Sequence, residues 1–353
     1  MHLYEENPCT DMCYNYRMVK TRIGVVRGGP SDEYEVSLKT GAAVIDSLDK
    51  EKYEPVDILI SKSGKWHVLG VEVKPNEALK KVDVVFNALH GNYGEDGKIQ
   101  QIFEAHGKAF TGSDSLSSAM AMAKHIAKET FRRAGLKVPA HVLIESREKE
   151  QVDATKAYLL AHSKFSLPYV IKPVSGGSSL GVFLVKNSRE FTTALENSFK
   201  KGNSVLVEEF IPGIEASVGV IEGFRGQGLY ALPPIEIRKG KGSIFDYKMK
   251  YGDKIENTES KAEILCKEIV PATFSPSIKK ELEKLAITAH EALGLSHYSR
   301  SDFIVSPHRG IYIIETNSLP GLTEESLVPK ALKAVGSSLR ELTDHLIALA
   351  LNE

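Results

Sequence analysis

The chain has 353 residues, of which 42% are hydrophobic and 26% are charged, and its formal net charge is −1. This composition is ordinary for a soluble globular protein, and a length of roughly 100–200 residues per domain predicts two or three domains. A nearly neutral chain has no long-range field that attracts nucleic acid or a membrane surface, so neither is expected as the main partner. An anionic ligand therefore has to be held by a local cluster of cations.

The N-terminus and the cysteines bear on where the protein works. Residues 1–20 lack the continuous apolar core of a signal peptide, and no stretch approaches the roughly 18 apolar residues of a membrane span. Cys9 and Cys13 have no second pair to complete a zinc site, and with Cys266 they are expected to be reduced thiols. We expect a cytoplasmic protein with a flexible leader over 1–20.

Residues 21–114 alternate between strand and helix patterns. Apolar strands are predicted at 23–26, 56–60 and 82–89. Helical spacing predicts a helix after the loop 27–35, through Leu38, Ala42, Ile45 and Leu48, and a second helix is predicted near 98–106. This order is typical of a small, mostly parallel sheet covered by helices.

Two further regions follow. In 115–214, a helix from Leu116 to about Ala134 carries Lys124, and short strands joined by tight loops predict an antiparallel α+β unit. In 215–353, the lysine- and glycine-rich stretch 238–254 is expected to be mobile. After it the pattern predicts an amphipathic helix, two strands and a C-terminal helix, at 276–293, 299–305, 310–316 and from about Ser337.

The last two predicted strands carry the motifs RSD and ETN. Alternate residues of a strand share a face, so Arg300 and Asp302 point the same way, as do Glu315 and Asn317. If the strands pair, three oxygen ligands that suit Mg²⁺ gather beside an arginine that suits a phosphoryl group or an oxyanion. The alternative is that these polar residues simply face water. The two motifs together, with LPG directly behind, favour a functional site.

A second candidate is a lysine at a strand end followed by a loop of small residues. Lys172 precedes VSGGSSLG (174–181), whose backbone N–H groups and hydroxyls could surround phosphate oxygens. The spacing is not that of a Walker A loop, and a Gly-Ser turn between strands is common. Lys124 and Lys172 are the candidate phosphate cations, and Glu208 and Glu209 open a candidate adenine hinge, although paired glutamates are usually just solvated.

The first region offers two loops, RGGPSDEYEVS (27–37) and ALHGNYGEDG (88–97). Both follow apolar strands and precede helices, which is where open α/β sheets place ligand sites. Glu33 could neutralise a substrate ammonium, and His90 could hydrogen-bond a carboxylate. Against this, an acidic residue at a helix start stabilises the dipole in any case, and a lone histidine after a strand is more often structural.

From about Arg22 to about Leu351 these motifs, in this order, resemble those of the D-alanine–D-alanine ligase family of the ATP-grasp superfamily. The pieces are GGPSDEYEVS, HGNYGEDG, KPVSGGSSLG, DYKMKY, RSD, and ETNSLPG followed by SLVP. The resemblance implies a three-domain ATP-grasp fold of α/β (α+β) class, with an N-terminal parallel α/β sheet domain and ATP between the second and third domains. It also implies ATP-dependent joining of two D-alanines for peptidoglycan precursor synthesis, by a cytoplasmic homodimer that works through an acyl phosphate.

The resemblance also implies a role for individual residues in binding ATP. Lysines bind the phosphates under the lid loop 174–181, the stretch 208–211 lines the adenine, and Glu215 reaches the ribose. The full nucleotide set is Lys124, Lys172, Ser179, Glu208, Glu209, Ile211, Glu215 and Lys250. The resemblance assigns two magnesium ions, which Mn²⁺ can replace, to the ligands Asp302, Glu315 and Asn317.

For the amino-acid substrates, the resemblance assigns Glu33 to the ammonium of the first D-alanine. Arg300 and the N–H of Gly321 form the oxyanion hole, and Ser326 and Leu327 receive the carboxylate of the second D-alanine. Ser178 and Tyr251 join two lids through hydrogen bonds to Glu33. The catalytic set is Glu33, Ser178, Tyr251, Arg300 and Gly321, and the substrate set is Glu33, His90, Ser326 and Leu327.

Some positions depart from the family pattern. Ser301 and Thr316 are expected to point away from the site, so they concern packing. The stretch 322–325 lies beside the pocket of the second substrate, which leaves a D-alanine–D-lactate or D-alanine–D-serine ligase as alternatives. Tyr251 speaks against D-lactate, because lactate-forming relatives typically carry phenylalanine there. A degenerate nucleotide-binding module would be expected to lack Arg300 or a metal ligand.

Overall fold

The computed structural model describes residues 20–146, 152–176, 181–200, 202–239 and 266–352. Their strands form three sheets, drawn from the stretches 21–87, 141–209 and 214–317. The mixed α/β class expected from the sequence is confirmed. The predictions for the leader and for most of the stretch 238–254 lie outside the described residues.

The first sheet has a parallel centre. Its strand order is β4-β3-β2-β1-β5, and β1 pairs in parallel with both β2 and β5. The elements of this region are β1 (Thr21–Gly28), α1 (Tyr34–Ser47), β2 (Tyr53–Ile60), β3 (Trp66–Val68), β4 (Val71–Val73), α2 (Pro75–Leu79), β5 (Val84–Asn87) and α3 (Lys98–Ala105). The antiparallel strands β3 and β4 were not predicted, because strands of three residues are too short to show a clear alternation.

Helix α1 forms where the spacing predicted it, but it buries a different face. Its buried residues are Val36, Ser37, Thr40, Gly41 and Val44, whereas Leu38, Ala42 and Ile45 are half-buried. Ser37 Oγ donates to the carbonyl of Ala88 and accepts from the N–H of Gly28, both at 2.8 Å. The helix therefore docks through polar contacts onto the carboxyl ends of β1 and β5, the edge where ligands bind in open sheets.

The second sheet is antiparallel, as expected, with the order β6-β9-β7-β8. The elements are α4 (Ser115–Met122), α5 (Lys124–Arg133), β6 (His141–Glu145), α6 (Ala154–His162), β7 (Tyr169–Pro173), β8 (Phe183–Val185), α7 (Ser188–Phe199) and β9 (Ser204–Glu209). The prediction of one helix from Leu116 to Ala134 was wrong. The chain breaks at Ala123, and the N–H of Lys124 donates to the carbonyl of Val174 at 3.1 Å instead of to a helical carbonyl.

The third sheet holds the two motif strands at one side. Its order is β13-β12-β10-β14-β15, with β11 paired to β10. The elements are β10 (Ile214–Glu222), a short 3₁₀ helix (Phe224–Gly226), β11 (Leu229–Ala231), β12 (Ile235–Lys239), β13 (Cys266–Ile269), α8 (Pro276–Ala292), β14 (Tyr298–Ser306), β15 (Gly310–Asn317), α9 (Leu327–Ala334) and α10 (Leu339–Asn352). The expected pairing of the last two strands is present and antiparallel, with Arg300 opposite Asn317 and Asp302 opposite Glu315.

Helix α10 ties the third sheet to the first. Leu342, Leu346 and Ile347 belong to one hydrophobic cluster with Ile23 and Phe86 of the first sheet. At the edge of this contact the hydroxyl of Tyr53 and the ammonium of Lys52 both bind Asp344. The first sheet, against which α1 and Glu33 at its start are held, is thereby fixed relative to the third sheet, which carries Arg300. Across the described ranges, no helix is long and apolar enough to cross a membrane.

A buried hydroxyl pair beneath the motif strands leads to a test of packing. Ser301 and Thr316 are buried, and their hydroxyls are hydrogen-bonded at 2.8 Å. Ser301→Ala should cost about 1–3 kcal/mol, because it leaves the Thr316 hydroxyl buried without its partner. The double variant Ser301→Ala/Thr316→Val should cost less than the sum of the single variants, as measured by chemical denaturation. Strictly additive losses would contradict this account of the pair.

Candidate functional site

One cleft of about 680 Å³ is lined by strand residues of the second and third sheets and by residues of α1 and the loops beside the first sheet. Almost all of the predicted site residues that the structure describes line it. They are Glu33, His90, Lys124, Lys172, Glu208, Glu209, Ile211, Glu215, Arg300, Asp302, Glu315, Asn317, Gly321 and Leu327. Ser326 lies immediately beside Gly321 and does not itself line the cleft. Ser178, Ser179, Lys250 and Tyr251 lie outside the described residues.

The motif strands place their polar side chains as their alternation predicted. Arg300 donates twice to Asp302, from Nε to Oδ1 at 3.0 Å and from Nη2 to Oδ2 at 2.7 Å. The hydroxyl of Ser217, on the neighbouring β10, donates to Asp302 Oδ1 at 2.6 Å. A contact at 3.4 Å joins Asn317 Nδ2 to Asp302 Oδ2. Arg300 and Asp302 thus neutralise each other at the floor of the cleft.

The donor set fits the predicted metal in its chemistry. Asp302, Glu315 and Asn317 supply two carboxylates and one amide oxygen from adjacent strands, and Mg²⁺ prefers such hard oxygen ligands. Within the described part of the chain, no three His, Cys, Asp or Glu side chains are placed to hold a metal ion together. Magnesium at this set would therefore need phosphate oxygens and water to complete its shell, which is its usual mode of binding.

Two lysines face the motif strands from the second region. The Nζ of Lys124 donates to the carbonyl of Gly176 and lies 3.8 Å from Glu315 Oε2. Burial lowers the pKa of Lys124, and the Glu315 carboxylate opposes that shift. Lys172 is the penultimate residue of β7 and is also buried. These two cations are separated in sequence, and both line the cleft.

The adjacent glutamates of VEEF have different surroundings. Glu208 is buried between two lysines, with Oε1 at 3.0 Å from Lys128 Nζ and Oε2 at 3.1 Å from Lys172 Nζ. Burial would raise the pKa of Glu208, but the two ammonium groups lower it overall. Glu209 instead accepts from the guanidinium of Arg309 at 2.9 and 3.1 Å. Of the two, only Glu208 is a buried counter-ion of lysines. Its partner Lys128 was not identified from the sequence.

The first region contributes a second group of buried polar side chains. Glu33 occupies the N-cap position of α1 without making a capping hydrogen bond, and it lies buried in the cleft. Glu33 therefore stands at the helix start, where its charge suits the helix dipole, and also lines the cleft. The ring of His90 is held by Thr40, whose Oγ1 lies 2.8 Å from Nε2. Glu33 and His90 thus lie on one side of the cleft, as predicted.

Glu95 is a further cleft residue that sequence reasoning did not single out. Its Oε1 accepts from the N–H of Gly91 at 2.8 Å and lies 3.9 Å from His90 Nδ1. Burial raises the pKa of Glu95 to about 8, and the neighbouring Glu33 carboxylate contributes to the rise. In the sequence, the position of Glu95 in the glycine-rich loop GNYGEDG was the available indication that it could lie in a ligand site.

The loop after β15 supplies the third side of the cleft. Ser326 and Thr323 hydroxyls lie 2.8 Å apart, and a Cβ on Gly321 would come within 2.8 Å of Ser326 Oγ. Ser326 is the N-cap residue of α9, yet its side chain makes no capping bond, and Leu327 is the first residue of that helix. A helix N-terminus presents N–H groups without intrahelical partners, which suits a carboxylate.

The three sheets and the lysine- and carboxylate-lined cleft between them define a ligase of the ATP-grasp fold. The chain matches the model of the D-ala D-ala ligase N-terminus over residues 22–78 and 69–113. It matches that of the D-ala D-ala ligase C-terminus over residues 130–348. The chain belongs to the D-alanine–D-alanine ligase family.

Individual relatives agree with this assignment. The D-alanine–D-alanine ligase of Geotalea uraniireducens is 38% identical over 329 residues, which cover 93% of this chain and 95% of the relative. That of Syntrophobacter fumaroxidans is 37% identical over 335 residues, covering 95% and 99%. Among crystal structures, the VanG D-Ala:D-Ser ligase from Enterococcus faecalis has a TM-score of 0.80 at 32% identity, covering 94% of this chain and 100% of that one. The Bacillus anthracis D-alanine–D-alanine ligase complexed with ATP has a TM-score of 0.74 at 31% identity, covering 94% and 98%.

Gly91 gives a test of how closely Glu33 is placed. It has φ +67°, and a Cβ there would lie 2.3 Å from Glu33 Oε2. Gly91→Ala should lower kcat/KM by about 10- to 100-fold, because it displaces Glu33. Gly107→Ala is the matched control, since Gly107 also has a positive φ of +55° but nothing within 4 Å. Both variants should lose about 1–2 kcal/mol of stability, and only the first should lose activity. Equal activity of the two variants would contradict the placement.

Glu95 gives a test in pH. Its folded pKa of about 8 lies above the ordinary 4.5, so between these values the folded chain keeps a proton that the unfolded chain loses. Stability from this group therefore falls as pH rises through that window. The thermal midpoint of Glu95→Gln, minus that of the wild type, should grow from pH 5 to pH 8. A difference that stays constant with pH would show that Glu95 does not titrate this way.

Proposed function

We propose that this chain joins two molecules of D-alanine to D-alanyl-D-alanine, with conversion of ATP to ADP and phosphate. The observation that carries the proposal is the composition of this cleft. Buried lysines suited to phosphates line one side, and Glu33, Arg300 and the N-terminus of α9 lie where an amino acid's ammonium, reacting carboxyl and second carboxylate could be held. Membership of the D-alanine–D-alanine ligase family supports this choice of substrate.

The nucleotide would lie against the second and third sheets. Lys124 and Lys172 would neutralise its phosphates, the stretch 208–211 would contact the adenine, and Glu215 would reach the ribose. Ser179 and Lys250 are proposed to add phosphate contacts. The Bacillus anthracis relative complexed with ATP supports this use of the cleft. Magnesium at Asp302, Glu315 and Asn317 would supply positive charge that stabilises the transferring phosphoryl group.

In the first step this chain's residues would hold the first D-alanine. A carboxylate is a poor electrophile, so one of its oxygens takes the γ-phosphoryl group and an acyl phosphate forms. Glu33 would bind the ammonium, while Arg300 and the N–H of Gly321 would face the oxygen that becomes an oxyanion. Such donors are worth about 10²–10³ in rate each.

In the second step the ammonium of the second D-alanine first loses one proton to solvent, and the resulting amine attacks the carbonyl carbon of the acyl phosphate. A C–N bond forms, the bond from the carbonyl carbon to the phosphate oxygen breaks, and inorganic phosphate leaves with the second N–H proton. Ser326 Oγ and the N–H of Leu327 would hold the second carboxylate at the start of α9. Ser178 and Tyr251 are proposed to join two lids to Glu33, which would keep water from the acyl phosphate.

The setting of the reaction is also proposed. We infer three domains, 21–114, 115–214 and 215–353, after a leader of 1–20, since each of these ranges contains the strands of one sheet except for the first residue of β10. We further propose a cytoplasmic homodimer that supplies peptidoglycan synthesis, without nucleic-acid or membrane partners. The family resemblance supports the assembly and the role in cell-wall biogenesis.

D-Serine is the alternative acceptor that the fold accommodates equally well. A D-Ala:D-Ser ligase and a D-alanyl-alanine synthetase both match the fold with a TM-score of 0.80, so the fold does not choose between the two acceptors. The unusual stretch 322–325 is in part structural, because Leu322 is fully buried and Glu324 and Glu325 pair with lysines of α9 at 3.5 and 3.6 Å. The hydroxyl of Thr323 is hydrogen-bonded to that of Ser326, so we propose Thr323 as the position in this stretch that affects the acceptor.

The proposed function is tested by product formation. Purified enzyme with ATP, Mg²⁺ and D-alanine should release ADP and phosphate and form D-alanyl-D-alanine, detected by mass spectrometry. Chelation of the metal should stop turnover, because the phosphate charge would lose its compensation. D-Serine and D-lactate are then offered as competing acceptors with D-alanine as the donor. ATP turnover independent of any D-amino acid, or mixed dipeptide in excess over D-alanyl-D-alanine, would refute the proposal.

A further inference from the structure

Lys128 is a buried cation that does not line the cleft. It lies one helical turn after Lys124 on α5, and its side chain is only 1% exposed. Its Nζ is 3.0 Å from Glu208 Oε1 and 3.3 Å from the carbonyl oxygen of Ile314 on β15. Burial lowers the pKa of Lys128 to about 8, and the Glu208 carboxylate opposes that shift. It cannot touch a nucleotide in the cleft directly.

Glu208 joins Lys128 to a lysine that does face the cleft. The other carboxylate oxygen of Glu208 lies 3.1 Å from Lys172 Nζ. A pair of Lys172 and Glu208 alone would carry no net charge, and a phosphate that attracted Lys172 would leave Glu208 buried without a partner. An uncompensated buried carboxylate is strongly unfavourable. With Lys128 present, the three groups carry one net positive charge, and Glu208 keeps a cation at all times.

We propose that Lys128 is a positioning residue of the nucleotide site. It neutralises the charge of Glu208 from the side away from the cleft, so that Lys172 is available to the phosphates of ATP. The inference rests on the proposed binding of ATP phosphates by Lys172. It differs from a purely structural ion pair in one respect. The effect of Lys128 on nucleotide affinity must depend on the charge of Glu208.

A double-mutant cycle on the full chain tests this dependence. The Kd of a non-hydrolysable ATP analogue with Mg²⁺ is measured by calorimetry for wild type, Lys128→Met, Glu208→Gln and the double variant. We expect Lys128→Met to weaken binding about tenfold, or about 1.4 kcal/mol. The same substitution in the Glu208→Gln background should change Kd by less than about twofold, because no buried carboxylate is left to compensate. Equal weakening in both backgrounds, or none in the first, would overturn the inference.

Two further variants separate charge from folding. Lys128→Arg keeps the positive charge and should bind within about twofold of wild type, so a large loss there would also count against the inference. Lys156→Met removes an exposed lysine, whose side chain is 85% exposed, and should leave Kd unchanged. If Lys128→Met fails to fold, Lys128→Gln takes its place in the cycle, because it removes the charge but keeps a polar group that can donate to Glu208.

The readout also separates this inference from the proposed function. Nucleotide binding with the expected coupling but without D-alanine ligation would refute the proposed function and leave the role of Lys128 standing. Ligation of D-alanine with no coupling between Lys128 and Glu208 would leave the proposed function standing and overturn the role of Lys128. A wild-type chain that binds no adenine nucleotide would overturn both.

Discussion

The antiparallel pairing of β14 with β15 is the contact on which the geometry of the cleft depends. Its register sets Arg300 opposite Asn317 and Asp302 opposite Glu315, so four polar side chains reach one face. A slip of one residue would send them to the other face, where Ser301 and Thr316 are now hydrogen-bonded. Other elements are aligned to this pair. β10 contributes a hydroxyl to Asp302, and α5 directs one lysine to Glu315 and a second to the backbone of β15.

The sequence predicted those parts of the fold that are encoded by local alternation. RSDFIV and IYIIET have a strand pattern long enough to be recognised, and the spacing of their polar residues fixes which of them share a face. The break between α4 and α5 could not be predicted in this way. Ala123 is neither glycine nor proline, and the helix ends there because the next N–H bonds to a carbonyl fifty residues later. The buried face of α1 was equally hidden, since Ser37 and Thr40 are buried only because β5 and the loop after it supply their partners.

For the site, the motifs identified side chains that line the cleft. They did not identify buried side chains, such as Lys128, that contact those lining residues from outside the cleft. Glu208 and Glu209 are neighbours in one strand with no local difference between them, yet one is buried between two lysines and the other pairs with Arg309 at the surface. Strand alternation requires that they differ, but which of them faces inward is decided by α5. Lys128 follows Lys124 at i+4, which would have placed it on the same helix face. That spacing alone could not distinguish a buried cation from a solvated one.

The charges of the cleft are arranged so that each buried ion already has a partner. Arg300 is bound to Asp302, Lys124 lies near Glu315, and Lys128 with Lys172 flanks Glu208. Because an unpaired buried charge is costly, a ligand can take one member of a pair only if it, or another group, compensates the member left behind. In the proposed reaction Asp302 would bind the metal and Arg300 would bind the reacting oxygen of the first D-alanine, so the two side chains would separate. The metal ion would then compensate Asp302 and the substrate oxygen would compensate Arg300, which favours joint binding of metal and amino acid over binding of either alone. The cluster of Glu208 with Lys128 and Lys172 keeps its buried carboxylate compensated without a metal. The compensating cation there, Lys128, belongs to the chain itself.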